Sequence, residues 1–311
     1  MLMPPTLRRP AIPAGPALPA ADPPSAARDV VRRAGRHVLG SVPVSSSASG
    51  TLSSTTVGEA GAPVVFLHGL FGQGRNFTQI AKALVPDFRS LLVDLPDHGR
   101  SPWTDRFDYA ATADLVAAHL REGFATAGPV HVVGHSMGGK VAMVLALRHP
   151  DLVDRLVVAD IAPATGGSLG EFAHLLDSLA AIDLTTLTRR GEADERLAQR
   201  VDDARVRGFL LQNLRADGDG FRWQANLDLL RRELPAIGGF PDVGDAVCDR
   251  PVLWVAGDRS DYVRPEHGPA MRRLFPRTTL VTIKGAGHWV HSEQPEAFVA
   301  VLRTFLGADE R

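Results

Sequence analysis

The run Val132-Val133-Gly134-His135-Ser136-Met137-Gly138-Gly139-Lys140 opens as a short apolar strand and passes into the helix-forming stretch Val141-Ala142-Met143-Val144-Leu145-Ala146-Leu147. Between them sits Gly-x-Ser-x-Gly, the spacing that holds a nucleophilic serine on a strained strand-to-helix turn. The small residues are required because the strand and helix backbones come close there and side chains would collide. Such a turn lifts Ser136 to the C-terminal edge of a sheet, at the N-terminus of the next helix. Unpaired backbone N–H groups and the positive end of the helix dipole can stabilise negative charge at that point.

Outward from this unit, short apolar runs recur at Val64–Leu67, Leu91–Val93, Val130–Val133, Leu156–Ala159, Val252–Val255 and Leu280–Ile283. Each is bounded by Gly, Pro, Asp or His, as buried parallel strands are. Helical patterns alternate with them at Phe77–Leu84, Tyr109–Phe124, Lys140–Arg148, Glu266–Leu274 and Pro295–Leu306. The alternation implies right-handed crossovers and an α/β fold, a mostly parallel sheet covered by helices on both faces. One stretch departs from it. From about 164 to 249 no clear strand is read, only helical patterns such as Phe172, Leu175, Leu176, Leu179, then Phe209, Leu210, Asn213, Leu214, then Leu227, Leu230, Leu234. This stretch is expected to be a helical cap over the sheet's C-terminal edge. Its Phe221 and Trp223 belong either to the cap core or to a substrate pocket.

Composition narrows the function classes. The 311 residues are 44% hydrophobic and 22% charged, ordinary for a globular protein with a sizeable core. A formal net charge of −1 argues against nucleic acid or an anionic membrane as partner. No apolar run reaches the length of a membrane span. The single cysteine, Cys248, excludes an internal disulfide and leaves the compartment undecided. The cytoplasm is the expected compartment. Residues 1–50 are rich in Pro, Ala and Ser and are expected to be a disordered extension preceding a domain over 51–311. Their arginine excess resembles a transit peptide only loosely; an unstructured extension is the preferred reading. Oligomeric state is left open by the sequence.

A serine hydroxyl needs a base within hydrogen-bond reach. His288, in Lys284-Gly285-Ala286-Gly287-His288-Trp289, follows the last expected strand and so lies on a loop at the same sheet edge as Ser136. His291, just beyond His288, is the nearest rival for the base but is expected instead to be exposed or to cap a helix start, and His135 to point away from the reaction. His68 and His98, in glycine-flanked loops, are expected to fix those loops by hydrogen bonds. The third member is a carboxylate holding the imidazole's tautomer. Asp160 competes for this role with the pair Asp258 and Asp261. The oxyanion needs two backbone donors: Met137 N–H is one, and Leu70 N–H, with Phe71 as alternative, is the other. The loop Asp94–Pro102 carries acids and a histidine, yet no ligand spacing suited to a metal is present, and no cofactor is implied.

Taken together, His68-Gly69-Leu70-Phe71-Gly72, Asp97-His98-Gly99-Arg100-Ser101-Pro102, Gly134–Lys140, Asp160-Ile161-Ala162-Pro163 and Gly285-Ala286-Gly287-His288-Trp289-Val290-His291 resemble the α/β-hydrolase superfamily from about residue 51 to the end. Within it they are most similar to small bacterial esterases with acyl-CoA thioesterase activity and their mitochondrial animal relatives. In that branch the acid is the aspartate of Asp-Ile-Ala-Pro and a serine precedes Tyr-Val. The resemblance therefore implies Asp160 as acid and Ser260 as auxiliary residue, although Asp261 intervenes here before Tyr262-Val263 and Asp258 has no required counterpart. It implies a serine hydrolase acting on a small-molecule acyl ester or thioester through an acyl-enzyme. Carbon–carbon bond hydrolase and cofactor-free haloperoxidase share the triad, and a non-catalytic ligand receptor shares the pocket. A serine at the turn argues against dehalogenase and epoxide hydrolase, which place aspartate there.

Overall fold

The computed structural model describes residues 51–166 and 169–308. The expected extension over 1–50 thus lies outside the described residues. The chain runs β1 (Ser54–Val57), β2 (Ala62–Leu67), α1 (Thr78–Leu84), β3 (Phe88–Val93), α2 (Tyr109–His119), β4 (Val130–His135), α3 (Met137–Arg148) and β5 (Val153–Ala159). There follow α4 (Leu169–Ala180), α5 (Arg190–Leu197), α6 (Ala204–Leu211), β6 (Leu214–Asp217), β7 (Gly220–Trp223), α7 (Leu227–Arg232) and α8 (Leu234–Gly238). The last part is β8 (Val252–Gly257), α9 (Gly268–Leu274), β9 (Thr278–Ile283), α10 (Val290–Glu293) and α11 (Pro295–Leu306).

Seven strands form one sheet in the order β1-β3-β2-β4-β5-β8-β9, parallel except for β1, which pairs antiparallel with β3 at the edge. Every expected strand is present, each extended by up to three residues at an end. The alternation of side chains along a strand assigns neighbours to opposite faces. Val65, Leu67, Val132, Val158 and Trp254 pack under α2, α3 and α9, while Val64, Phe66, Val133, Val157 and Leu253 pack under α1 and α11. The strands are apolar at both parities because helices cover both faces.

Two expectations need correction. β1 is absent from the sequence reading, because an edge strand reading Ser54-Thr55-Thr56-Val57 is exposed along most of its length and carries no apolar run. The stretch between β5 and β8, read as purely helical, contains the β6–β7 hairpin, which Gly218 turns at φ +56°. Leu214, placed on a helix face, instead pairs with Trp223 across that hairpin. Phe221 and Trp223 are half-buried against the cap core. The helix expected over Tyr109–Phe124 is α2 followed by a wider π-type turn over Leu120–Phe124. Among the described residues no helix is long and apolar enough to cross a membrane.

Candidate active site

Four adjacent strands, β4, β5, β8 and β9, each end at the same sheet edge. The residues after them are Ser136, Asp160, Asp258 to Ser260, and the loop carrying His288. Parallel strands put their C-terminal loops together, which is why residues 152 positions apart meet.

Ser136 sits at φ 52° and ψ −120°, a conformation that L-residues rarely adopt. The turn that imposes it depends on contact between backbones. A Cβ on Gly134 would lie 2.3 Å from the Gly138 carbonyl oxygen, and one on Gly138 would lie 2.4 Å from those of Leu67 and His68. These glycines let α3 start directly against β2 and β4, so the N-terminus of α3 opens at the serine.

Ser136 Oγ–H donates to His288 Nε2 at 3.0 Å, and His288 Nδ1–H donates to Asp160 Oδ2 at 2.8 Å. The Asp160 carboxylate is fully buried. It also accepts from Gly257 N–H at 3.0 Å and from Ser260 Oγ–H, so its charge is held by three donors in fixed directions. The same carboxylate sits on a residue at φ 51°, a second strained backbone position at the site. Asp258 is turned elsewhere: its Oδ1 accepts from Gly285 N–H at 2.8 Å and pins the loop that bears His288. Asp261 is exposed, and its carbonyl accepts from Arg264 Nε–H. Ser260 therefore reaches the imidazole through Asp160.

Leu70 and Met137, the expected oxyanion donors, line one cleft with Ser136. Among the described residues neither Leu70 N–H nor Met137 N–H donates to a protein acceptor. Phe71 N–H, the alternative, is taken up by His98 Nε2 at 3.3 Å. Two buried histidines shape this loop, as the sequence led us to expect. His68 Nδ1–H donates to Gly69 O and its Nε2 accepts from Leu95 N–H, joining the loops after β2 and β3. His98 Nδ1–H donates to Pro96 O. Burial pushes the His68 imidazole down to about 3, so it serves these bonds as a neutral ring.

The structure adds contributors to which the sequence assigned no part in the site. Tyr262 stacks on the His288 ring, 4.0 Å between centroids and 24° apart in plane. Asn213 is buried, and its Nδ2–H donates to Phe71 O at 2.8 Å, tying the cap to the oxyanion loop. A lone polar residue on an otherwise apolar face was the available cue for Asn213. His135 lies inward of the reaction, with Nε2–H donating to the His288 carbonyl at 2.8 Å. His291 overturns its expectation. It is buried rather than exposed, 4.7 Å from the rings of both Phe77 and His135, and burial pushes it down to about 3. In the loop Asp94–Pro102 the acids bind protein donors: Asp94 takes Gly74 N–H and Arg100 N–H, and Asp97 takes Thr104 N–H and Asn226 Nδ2–H. Among the described residues no group of three or more His, Cys, Asp or Glu is placed to hold a metal.

The family model for the alpha/beta hydrolase fold matches residues 62–295. The chain belongs to that family. Among curated α/β-hydrolases, the chain is 41% identical to the sn-1-specific diacylglycerol lipase ABHD11 of Mus musculus over 257 residues, 80% of this chain and 82% of the relative. It is 32% identical to esterase YbfF of Escherichia coli strain K12, covering 79% of this chain and 93% of that protein. A solved α/β-hydrolase structure, a marine microorganism esterase, superposes with a TM-score of 0.79 at 34% identity, over 83% of this chain and all of that one.

Proposed function

We propose that this α/β-hydrolase is a serine hydrolase that cleaves carboxylic esters through an acyl-enzyme. The observation that carries the reading is the unbroken relay from Ser136 Oγ through His288 to the buried Asp160 carboxylate, beside two unpaired backbone N–H groups. Ser136 attacks the acyl carbonyl as His288 Nε2 takes its proton. The carbonyl oxygen, now negative, is held by Leu70 and Met137 N–H. His288 returns the proton to the leaving oxygen, which departs and leaves an ester on Ser136. Water deprotonated by the same imidazole then frees the acid. Asp160 keeps Nδ1–H in place and stabilises the imidazolium, with Ser260 and Gly257 N–H fixing its carboxylate. Names of relatives such as lipase and esterase support ester substrates. An acyl thioester would follow the same route with a thiolate as leaving group.

The test is hydrolysis of p-nitrophenyl esters and acyl-CoAs of increasing chain length by wild type and Ser136→Ala. Turnover abolished by the substitution is expected, with a burst of p-nitrophenol equal to the enzyme present. A Ser136→Ala protein as active as wild type would remove the covalent step.

A further inference from the structure

Two clefts meet at Ser136, and Leu70 and Phe172 line both of them. The first passes between the oxyanion loop and His288, then opens past Phe209 and Trp289 into a groove of about 460 Å³ flanked by Arg205 and Arg259. The second runs beneath Phe172 between α3 and the cap helices α4 and α8. It is lined by Met137, Ile161, Leu234 and Ile237, has a volume of about 30 Å³, and reaches Lys140. His288 lines the first cleft and Tyr262 the second. Microscopic bookkeeping of the proton assigns them: the group that leaves must receive its proton from His288 Nε2, so it departs on the His288 side. The acyl group then occupies the second cleft.

Lys140 is out of place in such a slot. It follows Ser136 by four residues, so both lie on one face of α3, about 6 Å apart along the helix axis. It is 2% exposed, and its ammonium donates to Gly238 O at 2.9 Å and Gly239 O at 2.7 Å. Among the described residues no carboxylate lies within ion-pair distance of it. An ammonium has three donors; two carbonyls take two of them and the Tyr109 ring lies 6.0 Å away, and none of these neutral groups neutralises the charge. A methionine would fill the same space with no desolvation cost. Burial lowers Lys140 to about 8, which leaves it charged at neutral pH.

Resting on the ester-hydrolase reading above, we propose that Lys140 is the acyl-specificity residue and selects short acyl groups ending in a carboxylate, that is, monoesters of short dicarboxylic acids. Lys140 stands one helical turn from Ser136, the reach of a short acyl chain, and the terminal carboxylate supplies the counter-charge that the protein withholds. The large groove on the other side leaves the alcohol portion weakly restricted.

The experiment compares ethyl hydrogen succinate with ethyl 4-methylpentanoate, which has nearly the same shape and no charge, in wild type, Lys140→Met and Lys140→Gln. In wild type kcat/KM is expected to favour the succinate by on the order of tenfold or more, the size of one charge-assisted hydrogen bond. Lys140→Met is expected to reverse the preference. Lys140→Gln keeps an N–H donor for the cap carbonyls, so it guards against a folding defect, and it too is expected to lose the preference. An unchanged ratio in both variants, or equal loss on both esters, means that Lys140 only fastens the cap and overturns the proposal. Wild type that cleaves the neutral ester without preferring the succinate overturns this inference alone. Wild type that cleaves neither ester, nor any in the broader panel, overturns the hydrolase reading itself.

Discussion

The residue before the nucleophile holds the backbone of the base: His135 Nε2–H donates to the carbonyl of His288 at 2.8 Å, across 153 positions of sequence. Its donor must be Nε2, because a carbonyl can only accept. Burial, with the neighbouring His291 and His288 rings, keeps His135 well below the ordinary imidazole range and hence neutral. The alignment of Ser136 with His288 is thus enforced twice, once through side chains and once through this bond.

His135→Phe retains the ring against His291 and removes the donor. We expect kcat to fall by roughly tenfold with little change in KM, since one hydrogen bond that orients the base is lost. His135→Gln offers an amide N–H toward the same carbonyl and should recover part of the rate. Steady-state kinetics decide; equal loss in both variants would assign His135 to packing alone.

The identity of the acid can be separated from the loop that surrounds it. Asp160→Asn should lower kcat by about 10³–10⁴, because the neutral amide no longer stabilises the imidazolium or fixes its tautomer. Asp258→Asn loosens Gly285 and should cost about tenfold or less. Kinetics on one activated ester suffice, and a larger loss from Asp258→Asn would reverse the assignment.

Acid should destabilise the fold before it titrates its surface carboxylates. His68 and His291 are pushed down to about 3 by burial, against about 6.5 in an unfolded chain. Between those values the unfolded chain binds the extra proton, so stability is fully present above about 6.5 and is lost as pH falls towards 3. At pH 5.5 each of these two rings costs about 1.4 kcal/mol. Thermal melts at pH 7.5 and 5.5 should differ by roughly 6–10 °C. A flat Tm across this range would show that the rings gain their protons without opening the fold.

Strain at the nucleophile should be recoverable as stability. Glycine has no penalty at positive φ, so Ser136→Gly should raise stability by about 1 kcal/mol while abolishing turnover. Ser136→Ala keeps the Cβ and should show no such gain. Denaturant midpoints of the three proteins test this, and equal midpoints for glycine and alanine would place no strain at this turn.

The sheet's central strands were legible because they are buried on both faces and so are apolar over several consecutive positions, as in Val64–Leu67 and Val252–Val255. The serine turn was legible for the complementary reason, since Gly134 and Gly138 are demanded by backbone contact. The β6–β7 hairpin was missed although Asp217-Gly218 is a turn signal, because four-residue strands with exposed faces leave little periodicity. His291 was misjudged for want of any local sign that Phe77 and His135 would close over it.

What the sequence determined by itself was the order of elements and the kind of chemistry. Periodicity and steric demand act between near neighbours and are written locally. What only the tertiary structure decided was which carboxylate meets His288, which N–H groups stay unpaired, and that Lys140 lies in the slot beside Ser136. Those outcomes depend on strand order and on how the cap docks, and such contacts between distant residues leave no period in the chain that makes them.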